Sequence, residues 1–128
     1  MVDEAAAPQP SAGNDDSESV VMLSGDLMFA SRVRSAAEAT GLKFHFGGTL
    51  PHGDLQHVRY VVLDLSTRSG LVHDLATQCA ERCPQAKLIA YGPHVQVERL
   101  REAKAAGFPT VMTNGQFNEQ LPRLFLAR

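Results

Sequence analysis

The sequence predicts an α/β domain built on a five-stranded parallel sheet, and three observations carry that expectation. Short strand-like runs recur five times, at Val20–Leu23, Leu42–Phe46, Tyr60–Leu65, Lys87–Tyr91 and Thr110–Thr113. Most of them are separated by segments whose apolar residues repeat at helical spacing. Glycine or proline closes most of those segments. Strands that alternate with helices pair in parallel through right-handed crossovers, and the helices cover both faces of the sheet.

Residues 1–18 are rich in Ala, Pro, Ser and Asp without periodicity, the composition of a disordered, solvated acidic tail; residues 19–128 form the domain. After Val20–Leu23, Asp26 is placed to cap a helix with Phe29, Val33, Ala36, Ala37 and Thr40 on one face and Gly41 as its stop. The second and third strands are joined by thirteen residues, Gly47 to Arg59, which include Gly48, Pro51 and Gly53. A parallel crossover needs about a dozen residues, so its helix is expected to be a stub near Asp54–His57, or absent. Leu71, Val72, Leu75, Ala76, Cys79 and Cys83 mark one face of the next helix, ended by Pro84. Val97, Leu100, Ala103 and Lys104 carry another, stopped by Gly107. Leu121, Leu124 and Phe125 give a last helix, with Pro122 expected in its first turn.

Composition narrows the function. A chain of 128 residues, 44% hydrophobic and 20% charged, has room for one core. The net charge of -2 conceals an asymmetry. Residues 1–18 hold five acids (Asp3, Glu4, Asp15, Asp16, Glu18) and no base, leaving nine acids and twelve bases for the rest. That excess is too small and too dispersed to predict nucleic-acid binding. No apolar run approaches the ~20 residues of a membrane span, and no signal-peptide profile opens the chain. Two cysteines provide no disulfide framework, so a cytoplasmic protein is expected.

The chemistry centres on Asp64, which closes the apolar run Tyr60-Val61-Val62-Leu63 and so lies at the carboxyl edge of the sheet, where open α/β folds gather their sites. From Ser19 to Arg128 the chain resembles a response-regulator receiver domain. The resemblance rests on element order, on Asp64 at the phosphoacceptor position, and on Ala105-Ala106-Gly107-Phe108 before the fifth strand. It implies a flavodoxin-like (CheY-like), doubly wound sheet of order 2-1-3-4-5. It also implies a site in which two acids after the first strand and the acceptor hold Mg²⁺, aided by a hydroxyl on strand four and a lysine on strand five. Here Ser24 and Gly25 stand at the acidic positions and Asp26 follows one residue late. Tyr91 replaces the small hydroxyl, and Thr113-Asn114-Gly115 replaces the lysine.

The resulting expectation is a stand-alone pseudo-receiver that binds a protein partner, is not an enzyme, and needs no cofactor or metal. Ser24, Gly25, Asp26, Asp64, Tyr91 and Asn114 form its vestigial pocket, and Asp64 bonds backbone N–H groups or the Ser24 hydroxyl. By resemblance, partner contacts fall on Val97, Arg101, Lys104, Thr113 and Phe117. The alternative is a phosphorylatable receiver with Asp64 as acceptor, Asp26 turned inward and Mg²⁺ bound. Val61–Ser66 followed by Ser69-Gly70 is also similar to STAS domains of anti-sigma-factor antagonists, which would make Ser69 a phosphate acceptor. A flavodoxin-like enzyme or nucleotide binder is a third class, without a phosphate-loop motif to support it. Cys79 and Cys83, four apart, share a helix face as packing residues. His45, His52, His57, His73 and His94 have no ligand spacing, and Arg68 is placed to pair with Asp64.

Overall fold

In the computed structural model, which describes residues 17–126, the chain's most apolar segments become the central strands of a sheet. Strands β1 (Ser19–Leu23), β2 (Lys43–Gly47), β3 (Val58–Asp64), β4 (Lys87–Gly92) and β5 (Thr110–Thr113) all pair in parallel, in the order β2-β1-β3-β4-β5. This is the doubly wound 2-1-3-4-5 sheet. Most of the tail, residues 1–16, lies outside the described residues.

Alternation along the central strands builds two cores. Val20, Met22, Tyr60, Val62, Ile89 and Tyr91 face helices α1 (Leu27–Ala39) and α5 (Asn114–Leu124). Val21, Leu23, Val61, Leu63 and Ala90 face α3 (Val72–Arg82) and α4 (Val97–Ala105). Each Val, Leu, Ile or Met side chain among these contributes about 1.5–3 kcal/mol when fully withdrawn from water, so the central strands anchor the fold. Asp26 caps α1, its side chain accepting from the Met28 and Phe29 N–H groups. Gly41 and Gly107 follow α1 and α4 with φ of 80° and 104°, the left-handed conformation that ends a helix cheaply only at glycine.

Between β2 and β3 no helix forms, one of the two outcomes expected for that crossover; the glycines and proline leave turns, and the Asp54 side chain accepts from the Gln56 N–H. Two local expectations are corrected. A short helix, α2 (Leu65–Arg68), and a 3₁₀ turn, Ser69–Leu71, precede α3, because Asp64 itself serves as the cap. Pro122 sits in the last turns of α5, not the first. That helix starts earlier, at a capping box in which Thr113 and Gln116 satisfy each other's backbone N–H. As the alternation of strand and helix predicts, β1 and β2 are parallel and separated by α1, which favours the receiver-like reading over the one that rests on Ser69.

Cys79 and Cys83 are buried and free. Burial, reinforced by the neighbouring Cys83 thiol, pushes the Cys79 thiol up to about 12, so it is a packing residue rather than a reactive thiolate. No helix among the described residues is long and apolar enough to cross a membrane.

Candidate functional site

The carboxyl ends of β1 and β3 lie side by side, Leu23 opposite Leu63, so the residues that follow them must share one small space. Asp64 is 1% exposed. A buried carboxylate is stable only when its lone pairs are met by donors, and here the adjacent residues supply them. Its Oδ1 accepts from the Ser66 N–H at 2.9 Å and the Ser66 hydroxyl at 2.8 Å. Its Oδ2 accepts from the Ser24 hydroxyl at 2.7 Å and the Thr67 hydroxyl at 2.8 Å. An ionised carboxylate offers about four acceptor sites. All four are filled.

The donors are held in turn. Ser24 Oγ accepts from the Asp26 N–H at 2.9 Å, and Thr67 Oγ1 accepts from the Gly25 N–H at 2.9 Å. Each hydroxyl therefore gives its proton to Asp64 and takes one from the β1–α1 loop. The network closes on itself and ties that loop to α2. Ser24, itself 2% exposed, sits where the resemblance implies a metal-binding acid. The Asp26 carboxylate is turned away from it, capping α1 at 3.1 Å from both the Met28 and Phe29 N–H groups.

Tyr91 lies beside Asp64 in register, but its side chain points into the core. Its ring stacks on Phe117 at 4.2 Å between centroids and leans on Phe29 at 5.0 Å. Among the described residues the hydroxyl is enclosed with no partner in good hydrogen-bond geometry. Burial raises its pKa well above the ordinary phenol value; the Asp64 charge pushes the same way and the Ser24 hydroxyl opposes it. Tyr91 is thus neutral, and fills space rather than moving protons. At the end of β5, Thr113 is occupied in capping α5. The Asn114 side-chain oxygen is enclosed and unpaired.

The residues do not fit Mg²⁺. That ion demands oxygen ligands in near-octahedral array, yet the one enclosed acid has no lone pair to spare and the second acid serves a helix end. Among the described residues, no group of three His, Cys, Asp or Glu side chains is arranged to hold a metal.

Of the sequence-derived pocket, Ser24 and Asp64 meet directly. Gly25 and Asp26 join through their N–H groups, Tyr91 enters only with its ring, and Asn114 makes no bond to the Asp64 network. Thr67 and Ser66 complete the site. Their signal was a serine and threonine two and three residues after a strand-ending aspartate, the pattern of side chains that fold back on local groups. Arg68 does not pair with Asp64; it lies over Gly48, with its Nε enclosed and unpaired.

The partner-face residues divide. Val97, Arg101 and Lys104 are exposed, Arg101 holding Glu98 at 3.1 Å. Thr113 is half-buried and Phe117 is fully buried, because the α5 face that carries Phe117 packs on Tyr91 and Phe29. Phe117 is therefore removed from the surface. Leu27, Met28 and Val95 are exposed large apolar residues that the periodicity did not single out. With Val97 they flank the carboxyl edge, where Arg99 on α4 donates to the Leu65 carbonyl at 3.2 Å and so brings α4 against α2.

No protein-family model and no curated protein matches the chain. Solved structures do. A response regulator from Thermotoga maritima superposes with a TM-score of 0.61 at 13% identity, over 83% of this chain and 92% of that one. The isolated receiver domain of RcsB from Salmonella enterica gives 0.60 at 14% identity, over 86% of each chain. A signal receiver domain of an HD domain-containing protein from Pseudomonas fluorescens gives 0.61 at 11% identity, over 88% and 87%. At these identities the likeness is one of fold, and the fold is that of receiver domains.

Proposed function

We propose that this domain is a signalling module of the receiver type that works by docking a protein partner while Asp64 stays unphosphorylated. One observation carries the reading: every acceptor site of the Asp64 carboxylate is taken by a donor from its own neighbours. Phosphoryl transfer to a carboxylate is mainly positioning plus charge neutralisation, and neither has its groups here. The acids that would hold a metal are a hydroxyl and a glycine, and β5 ends in a helix cap. What remains accessible is surface. Val95 and Val97 are exposed near the sheet's carboxyl edge, and Arg101 and Lys104 are exposed further along α4; an apolar pair followed by bases is where the partner would dock.

Incubation with acetyl phosphate and Mg²⁺, followed by intact-mass measurement, tests this. The expected spectrum shows the unmodified chain. A species heavier by one phosphoryl group, absent from the Asp64→Asn variant, would establish the phosphorylatable alternative in which Asp26 swings in beside Asp64.

A further inference from the structure

The sheet has an open border on the side away from α4. Strand β2 is an edge strand, and its backbone groups divide with period two. The Lys43 N–H donates to the Glu18 carbonyl at 2.9 Å, and the Gly47 carbonyl accepts from the Ser24 N–H at 3.1 Å. Residues 43, 45 and 47 therefore turn their backbone groups to β1, and the N–H and C=O groups of Phe44 and Phe46 point outward. Among the described residues, no backbone group of a loop or turn meets them. Such an edge is usually blunted by charge, by proline or by a covering helix. Here no helix follows β2, and both residues with outward backbone groups are phenylalanines, half-buried. Their rings lie 6.5 Å apart and 16° from parallel, on the face that α1 covers.

These features fit a second copy of the same strand. An antiparallel copy related by a twofold axis at His45 sets Phe44 opposite Phe46 of the second chain, and Phe46 opposite its Phe44. Bonded and unbonded positions alternate in antiparallel pairing, so each Phe pair exchanges two N–H···O bonds and His45 faces its own copy between them. Every outward group of both strands is then met, and two aromatic cross-strand pairs form. Helix α1 lies over β1 and β2. With strands about 4.8 Å apart, the two α1 helices come about 10 Å apart, the ordinary helix-packing distance. A lone extended peptide would meet the same backbone groups but bring no helix to cover the rings. We propose that β2 pairs with β2 of a second chain about an axis at His45, joining two five-stranded sheets into one.

Sedimentation equilibrium of the 128-residue chain, with hydrogen exchange at the β2 amides, tests the pairing. Wild type is expected to approach twice the chain mass as concentration rises, and the Phe44 and Phe46 amides, fast in the monomer, become protected in step. His45 is exposed and meets its copy at the axis. His45→Glu and His45→Lys are therefore each expected to weaken association about fivefold through like charge. A one-to-one mixture of the two variants is expected to recover it as a heterodimer. A wild-type chain that stays monomeric at millimolar concentration would overturn the proposal. So would a dimer that both variants leave unchanged, which would be built on another face. Phe44 and Phe46 amides protected in the monomer would overturn it too, since the edge would then be covered from within its own chain.

Discussion

Replacing Asp64 by alanine is expected to destabilise the domain by about 3 kcal/mol, read as a lower denaturant midpoint at unchanged slope. Three side chains and one N–H group donate to this carboxylate. Ser24 is buried, so its hydroxyl would lose its acceptor in a place water does not reach, and an unmet buried donor costs about 1–3 kcal/mol. The cap of α2 is lost as well, typically about 1 kcal/mol. Ser66 and Thr67 are exposed and can turn to solvent, which keeps the total from rising further. An acid held ready for chemistry behaves in the opposite sense: its removal is neutral or stabilising, because functional groups are commonly kept at a cost to stability. The sign of the change therefore separates a structural carboxylate from a working one.

Phe117→Ala is expected to be the more damaging substitution, about 4 kcal/mol by the same measurement. The side chain is fully buried and lies against both Tyr91 and Phe29, at 4.2 and 5.4 Å between centroids. Its loss opens a cavity between α1, α5 and β4 and removes two aromatic contacts. Val97→Ala or Arg101→Ala on exposed α4 should stay within about 0.5 kcal/mol of wild type. A partner that loses affinity for the α4 variants and not through unfolding would place its contact there. Similar stabilities for Phe117→Ala and Arg101→Ala would contradict the packing described for α5.

Much of this was legible because period and punctuation agree. The runs at Val20–Leu23 and Tyr60–Leu63 are apolar on both faces, as only central parallel strands are, and Gly41 and Gly107 stop helices where their backbone demands it. The crossover between β2 and β3 was readable from its length alone. What escaped was decided by pairs of elements. Nothing in the periodicity of Asn114–Leu124 shows that Pro122 comes late, since the start is fixed by the reciprocal bonds of Thr113 and Gln116. Phe117 reads as a surface residue by analogy, and only the packing of α5 on Tyr91 turns it inward. At the site, the loss of acids at Ser24 and Gly25 was plain in the sequence. That Thr67 and Ser66 would fill the remaining lone pairs depended on the turn after β3, which begins a helix with Asp64 as its cap.

Whether the Asp64 carboxylate keeps a lone pair free for an ion or a phosphoryl group decides between a docking module and a phosphorylatable one. Titration with Mg²⁺ and beryllofluoride, followed through the amide resonances of Ser24, Gly25, Asp26, Asp64, Ser66 and Thr67, measures that directly. The expected result is no displacement of any of the six. Saturable shifts at these positions, lost in Asp64→Asn, would mean that the hydroxyl cage opens and that this carboxylate can be charged.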